Sequence, residues 1–208
     1  MAKVMTPSDT TITAGQIGKF QELLGARLRK SGLQSEPVQQ VLASQGDAIA
    51  DEMVAAIRKR VEAMSSIIVR YVKVDRSRTP QAVLKATGRR LYTTDSVVAT
   101  MPRGTGDEAE VHFFKLDLSE RGGWISDADL DKEYELRGLN PADPYSQAAV
   151  NEANPAFADD HPNGTHWRDA DSKWCFAAFG RWDGGRYVFV RRYGGGWCDL
   201  WWFAGVRK

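Results

Sequence analysis

Of the residues able to do chemistry, His161, His166, Cys175 and Cys198 fall together in the last quarter of the chain. Those types could hold zinc or supply a thiolate–imidazole pair. Their spacing, however, fits no closed tetrahedral site, and no third group is placed to orient a Cys–His nucleophile. Cys175 reads instead as a small core hydrophobe on a strand, and His166 as a loop or edge residue. Asp127, Asp129, Asp131, Glu133 and Glu135 read as the solvated face and first turn of a helix, where acids complement the macrodipole. Asp159 and Asp160 are adjacent carboxylates, too few for a calcium loop. Arg103-Gly104-Thr105-Gly106 lacks the Gly-Lys-Ser/Thr of a phosphate cradle, and Gly194 to Gly196 runs into a tryptophan-rich strand instead of a helix. The expectation is a protein without catalytic residues, metal ligands or cofactor.

Recognition is the chemistry left. Six of the seven tryptophans lie between Thr165 and Lys208. Among them sits Arg191-Arg192-Tyr193-Gly194-Gly195-Gly196, a pliant segment held between rigid anchors, as a display loop requires. Trp174, Trp197, Trp201 and Trp202 fall at strand positions and read as core, given the area each buries. Strand alternation sends Trp201 and Trp202 to opposite faces, so one of them should lie outside the main core.

The elements that must position these residues follow from periodicity and punctuation. Thr13 caps a helix with Ile17, Phe20, Leu24 and Leu28 on one side, ending at Gly32. A second helix is expected from Ser35 to Gly46 and a third from Asp47 to about Met64. The three apolar stripes can close as a small bundle or serve as a homo-oligomerisation surface. Ile67 to Val74 is a β-branched strand, Thr79 to Thr87 a short helix, and Ser96 to Ala99 a brief strand. Pro102 to Glu108 reads as a boundary loop. Beyond it come a strand at Val111 to Leu116, a helix capped by Ser126, a helix from Tyr145 to about Asn151, and a long irregular passage. Strands at 173–179, 186–191 and 200–207 complete the order. The expected organisation is a helical region at 1–66, a short β/α connection at 67–109 and a domain at 110–208.

At 208 residues and 42% hydrophobic content, one large domain with a helical attachment can bury a substantial core. The net charge of +1 is unevenly spread. Residues 1–92 carry 15 Lys/Arg against 8 Asp/Glu, and residues 93–170 carry 6 against 16. The basic front half permits nucleic-acid contact, but it lacks a zinc-finger or RNA-binding aromatic signature. No apolar run is long enough to span a membrane, and the N-terminus has no signal core, so a cytoplasmic protein with reduced cysteines is expected.

Trp197-Cys198-Asp199-Leu200-Trp201-Trp202-Phe203-Ala204-Gly205-Val206-Arg207-Lys208, with Gly164-Thr165-His166-Trp167, Lys173 to Phe179 and Glu133 to Leu139, resembles the C-type-lectin-fold variable proteins of diversity-generating retroelements. The resemblance covers about residues 110–208. It implies a C-type-lectin-like C-terminal domain, which with the mainly α-helical N-terminal region read from periodicity makes an α+β fold. It also implies a non-enzymatic protein whose exposed residues are rewritten by error-prone copying of adenines, turning AAC codons into NNC. NNC codons cannot encode Trp, Met, Lys, Glu or Gln, and between Tyr187 and Leu200 only Trp197 falls outside that set. A run of this length arises by chance about one time in twenty at ordinary residue usage.

By position, the resemblance makes Tyr187, Phe189, Arg191, Tyr193, Gly194, Gly195, Gly196, Cys198 and Leu200 the variable, ligand-facing residues. Trp174, Trp197, Trp201, Trp202, Phe203 and Gly205 become the scaffold. The implied ligand is a protein or cell-surface molecule, bound without calcium. Two other readings stand beside it: a nucleic-acid-associated protein using the basic front half, and a relative of the formylglycine-generating enzymes, which share the lectin-like scaffold.

Overall fold

A computed structural model describes residues 12–64, 66–192 and 195–208. The chain divides into two compact units, Met1–Arg60 and Val61–Lys208.

The first unit is built from helices. α1 (Ala14–Lys30) begins with a full capping box, Thr13 accepting from the Gln16 backbone while the Gln16 side chain reaches back. α2 (Ser35–Met64) is continuous. It runs through the break expected at Gly46, which holds helical geometry. One glycine in a helix interior costs about 1 kcal/mol, and the Ala- and Gln-rich residues around it tolerate that. No residue of α1 is buried, and Leu24, Leu28, Val38, Leu42, Ile49 and Met53 line an open apolar groove between the two helices.

The second unit is a mixed α+β fold around one sheet. Its elements are β1 (Ile67–Lys73), α3 (Pro80–Ala86), β2 (Arg90–Thr93), α4 (Asp95–Val98), β3 (Glu108–Lys115), β4 (Trp124–Ile125), α5 (Asp127–Leu136) and β5 (Leu139–Pro141). These are followed by α6 (Pro144–Ala153), α7 (Phe157–Asp160), β6 (Asn163–Arg168), β7 (Trp174–Trp182), β8 (Gly185–Arg192), β9 (Trp197–Cys198) and β10 (Trp202–Arg207). The strand order is β1-β3-β10-β6-β7-β8-β2, and β4 pairs with β9 in a separate ribbon. β10 runs parallel to β6 at Trp202 and Phe203, then pairs antiparallel with β5 from Gly205 to Arg207. Residues 67–109 supply both edge strands, β1 and β2, so the sheet begins at Ile67.

Ser96 to Ala99, expected as a strand, lies at α4 and its C-cap, and the reason is burial. Val97 and Val98 are both buried, whereas a strand would send neighbours to opposite faces. β6 falls inside the passage expected to be irregular. Its polar sequence is buried because Asn163 bonds Gln147 and Asn151 of α6, and Thr165 bonds the Ala142 carbonyl.

The core lies on both sides of the sheet. On one side Ala177, Phe179, Val188 and Val190 pack with Val83 and Leu84 of α3, Val97 and Val98 of α4, and Tyr145 and Ala148 of α6. Val111, Phe113, Trp202 and Ala204 continue that side against Val150 and Phe157. On the other, Phe114, Ala178 and Phe203 pack with Leu130 and Tyr134 of α5 and with Trp197. Trp202 and Trp201 part as alternation requires: Trp202 is buried on the α6 side, and half-buried Trp201 packs on the α5 side.

Candidate functional site: an aromatic face and cleft

The site is built outward from β8. Val188 and Val190 point into the core, so the pleat turns Tyr187, Phe189 and Arg191 to the opposite face. Across β7 these three meet Gly180, Ala178 and Phe176, and the two small residues leave room for rings. On the outer side β2 runs parallel, placing Arg90 beside Tyr187 and Tyr92 beside Phe189. Tyr92 lies 5.4 Å from Tyr187 and 5.5 Å from Phe189, ring centre to ring centre. Trp182, at the β7–β8 turn, lies 5.4 Å from Phe189 and 5.8 Å from Trp201. The Arg191 guanidinium sits 5.0 Å over the Phe189 ring. A continuous half-exposed aromatic surface, edged with arginine, results.

Beyond Trp201 this surface descends into a cleft of about 180 Å³ lined by Trp124, Asp127, Phe176, Gly196, Trp197, Cys198 and Trp201. The β4–β9 ribbon forms one wall, with Trp124 opposite Cys198 and Ile125 opposite Trp197. Gly164 of β6 lets the Trp197 indole lie against the strand, since a Cβ there would overlap the ring. Gly196 has φ +78°, and a Cβ on it would stand 2.6 Å from the Ile125 carbonyl oxygen. Gly196, which the resemblance makes a variable residue, is therefore held to glycine by its backbone.

Behind the cleft lies a polar cluster centred on buried His166 and Asp127. Trp197 Nε1 donates to Asp127 Oδ1 at 2.8 Å, and His166 Nδ1 meets the same oxygen at 2.7 Å. His166 Nε2 stands 3.0 Å from Asp131 Oδ1, at ion-pair distance. Trp174 stacks on the imidazole at 4.7 Å and 13°. Burial works against the charged imidazole, but the two carboxylates outweigh it and raise the His166 pKa above its ordinary value.

Of the residues the resemblance made ligand-facing, Tyr187, Phe189 and Arg191 share the aromatic face, while Gly196 and Cys198 line the cleft. Leu200 is exposed on the turn before β10, Gly195 is exposed on the preceding loop, and Tyr193 and Gly194 lie outside the described residues. Among the scaffold residues, Trp197, Trp202, Phe203 and Gly205 are buried; Trp174 and Trp201 are half-buried, and Trp201 forms part of the cleft wall. Tyr92, Trp182 and Trp124 belong to the surface and were missed. Only the period-2 pattern of Arg90-Leu91-Tyr92-Thr93 hinted at the first. His166, expected as a loop or edge residue, is buried within β6.

Among the described residues no group of three or more His, Cys, Asp or Glu could hold a metal ion. Cys175 is buried, and burial together with Asp169 raises its thiol pKa, which disfavours the thiolate. No described helix is long and apolar enough to cross a membrane. Comparison with known proteins finds no matching family model, curated protein or solved structure.

Proposed function

We propose that this protein recognises a ligand, without catalysis, through the face formed by Tyr92, Trp182, Tyr187, Phe189 and Arg191 and the adjoining cleft. The single observation that carries the reading is the division of β8: two valines sealed in the core and, alternating with them, an aromatic and guanidinium row left half open. Rigid aromatics and arginine supply contact energy at low entropic cost, as paratopes require. Residues on such a face can be exchanged with little harm to folding, whereas a volume change at Val188 or Val190 costs on the order of 1–5 kcal/mol.

The reading extends to a C-type-lectin-like scaffold, expected at 110–208 but completed by the edge strands from 67–109, and to rewriting of the open positions by a retroelement. Support comes from the strand-then-helices-then-strands order of that segment, from the NNC-compatible run, and from the exposure of Tyr187, Phe189 and Arg191 within it. The ligand class that fits is a protein or cell-surface molecule. The DNA flanking the gene tests the retroelement part: a reverse transcriptase gene and a near-copy template with adenines at the varied codons are expected, and a locus with neither overturns it.

A further inference from the structure

We propose that the cleft beside the aromatic face is a cage for an organic ammonium group. This rests on the recognition reading and names the chemistry that the cleft, walled mainly by scaffold aromatics, would take.

Four aromatic side chains, Trp124, Phe176, Trp197 and Trp201, line the cleft around one carboxylate, Asp127. Trp197 and Trp201 stand at 85° with centres 5.6 Å apart, and Phe176 and Trp197 at 77° and 5.6 Å. Walls set near right angles suit a compact, nearly spherical group and leave no parallel platform for a flat ring. Aromatic faces attract cations, tryptophan most strongly. No Lys or Arg lines the cleft among the described residues. Asp127 is the one charged side chain in the lining, and its Oδ1 is shared by Trp197 and His166. The tryptophan that forms the inner wall is fixed by Asp127 itself, so that wall is in place before any ligand arrives. The volume of about 180 Å³ accommodates a methylated ammonium headgroup or the end of a lysine side chain.

The test titrates the full chain with choline, with N-acetyl-lysine methylamide and with 3,3-dimethylbutanol, the uncharged isostere of choline, at constant ionic strength, following tryptophan fluorescence and calorimetry. The first two probes separate a free headgroup from a protein side chain; saturable binding of either, at least ~10-fold tighter than the isostere, is expected. Trp124→Ala, at a 54% exposed position, should weaken the preferred cation ~3- to 10-fold with the melting temperature checked beside it. Tyr187→Ala, outside the cleft, should leave cation binding unchanged. Equal binding of cation and isostere, no saturation by either cation in the folded protein, or an unchanged constant in Trp124→Ala overturns the cage. None of these outcomes touches recognition by the outer face, which is tested by the flanking DNA and by exchange on β8.

Discussion

Trp197 and His166 meet at a single oxygen: Asp127 Oδ1 lies 2.8 Å from the indole Nε1 and 2.7 Å from the imidazole Nδ1. A wall of the cleft is thereby tied to a buried ion pair on β6. Replacing Asp127 by Ala leaves both donors buried without a partner. A loss of about 3 kcal/mol is expected, read by urea unfolding of the two proteins, because breaking a buried pair exposes its full desolvation cost.

The same pair sets a pH dependence. The folded pKa of His166 is raised above that of the unfolded chain, near 6.5, so its contribution is complete below that value. The contribution fades as pH rises through the folded pKa. Melting temperatures of the native protein and His166→Gln, measured from pH 5 to 9, should differ most at the acid end and converge toward the alkaline end. A gap that widens with pH would mean that the imidazole is buried neutral.

The two cysteines should part in reactivity. Cys175 is buried beside Asp169 and its thiol pKa is raised, whereas half-buried Cys198 lines the cleft. Alkylation followed by mass spectrometry should modify Cys198 at least ~10-fold faster than Cys175 in the folded protein.

Glycine marks where exchange must stop. Gly196→Ala forces a side chain onto φ +78° and against the Ile125 carbonyl, so a loss of about 2 kcal/mol is expected by thermal or urea unfolding. Leu200→Ser, at a 42% exposed turn position, should change stability by no more than about 0.5 kcal/mol.

Much of this was legible in the sequence where the signal is local. The strand at 186–191, the caps at Thr13 and Ser126 and the opposed tryptophans 201 and 202 are read from neighbouring residues, and the structure carries each of them. What escaped depends on contacts distant in sequence. Tyr92 joins the face only because β2 runs parallel to β8, and Trp124 joins the cleft only because β4 pairs with β9. β6 was hidden because its buried residues are polar, satisfied by Gln147 and Asn151 of another element. Gly46 looked like a stop, yet one glycine is too small a penalty to end a helix of 30 residues.

The central claim is that recognition sits on a face whose residues can change while the sheet beneath them cannot. Its most direct test is a display library randomised at Tyr187, Phe189, Arg191, Cys198 and Leu200, scored for protease resistance beside a matched library at Val188, Val190, Phe179, Ala178 and Phe203. Most members of the first library should stay folded and most of the second should not. Equal loss of protease resistance in the two libraries would contradict that claim.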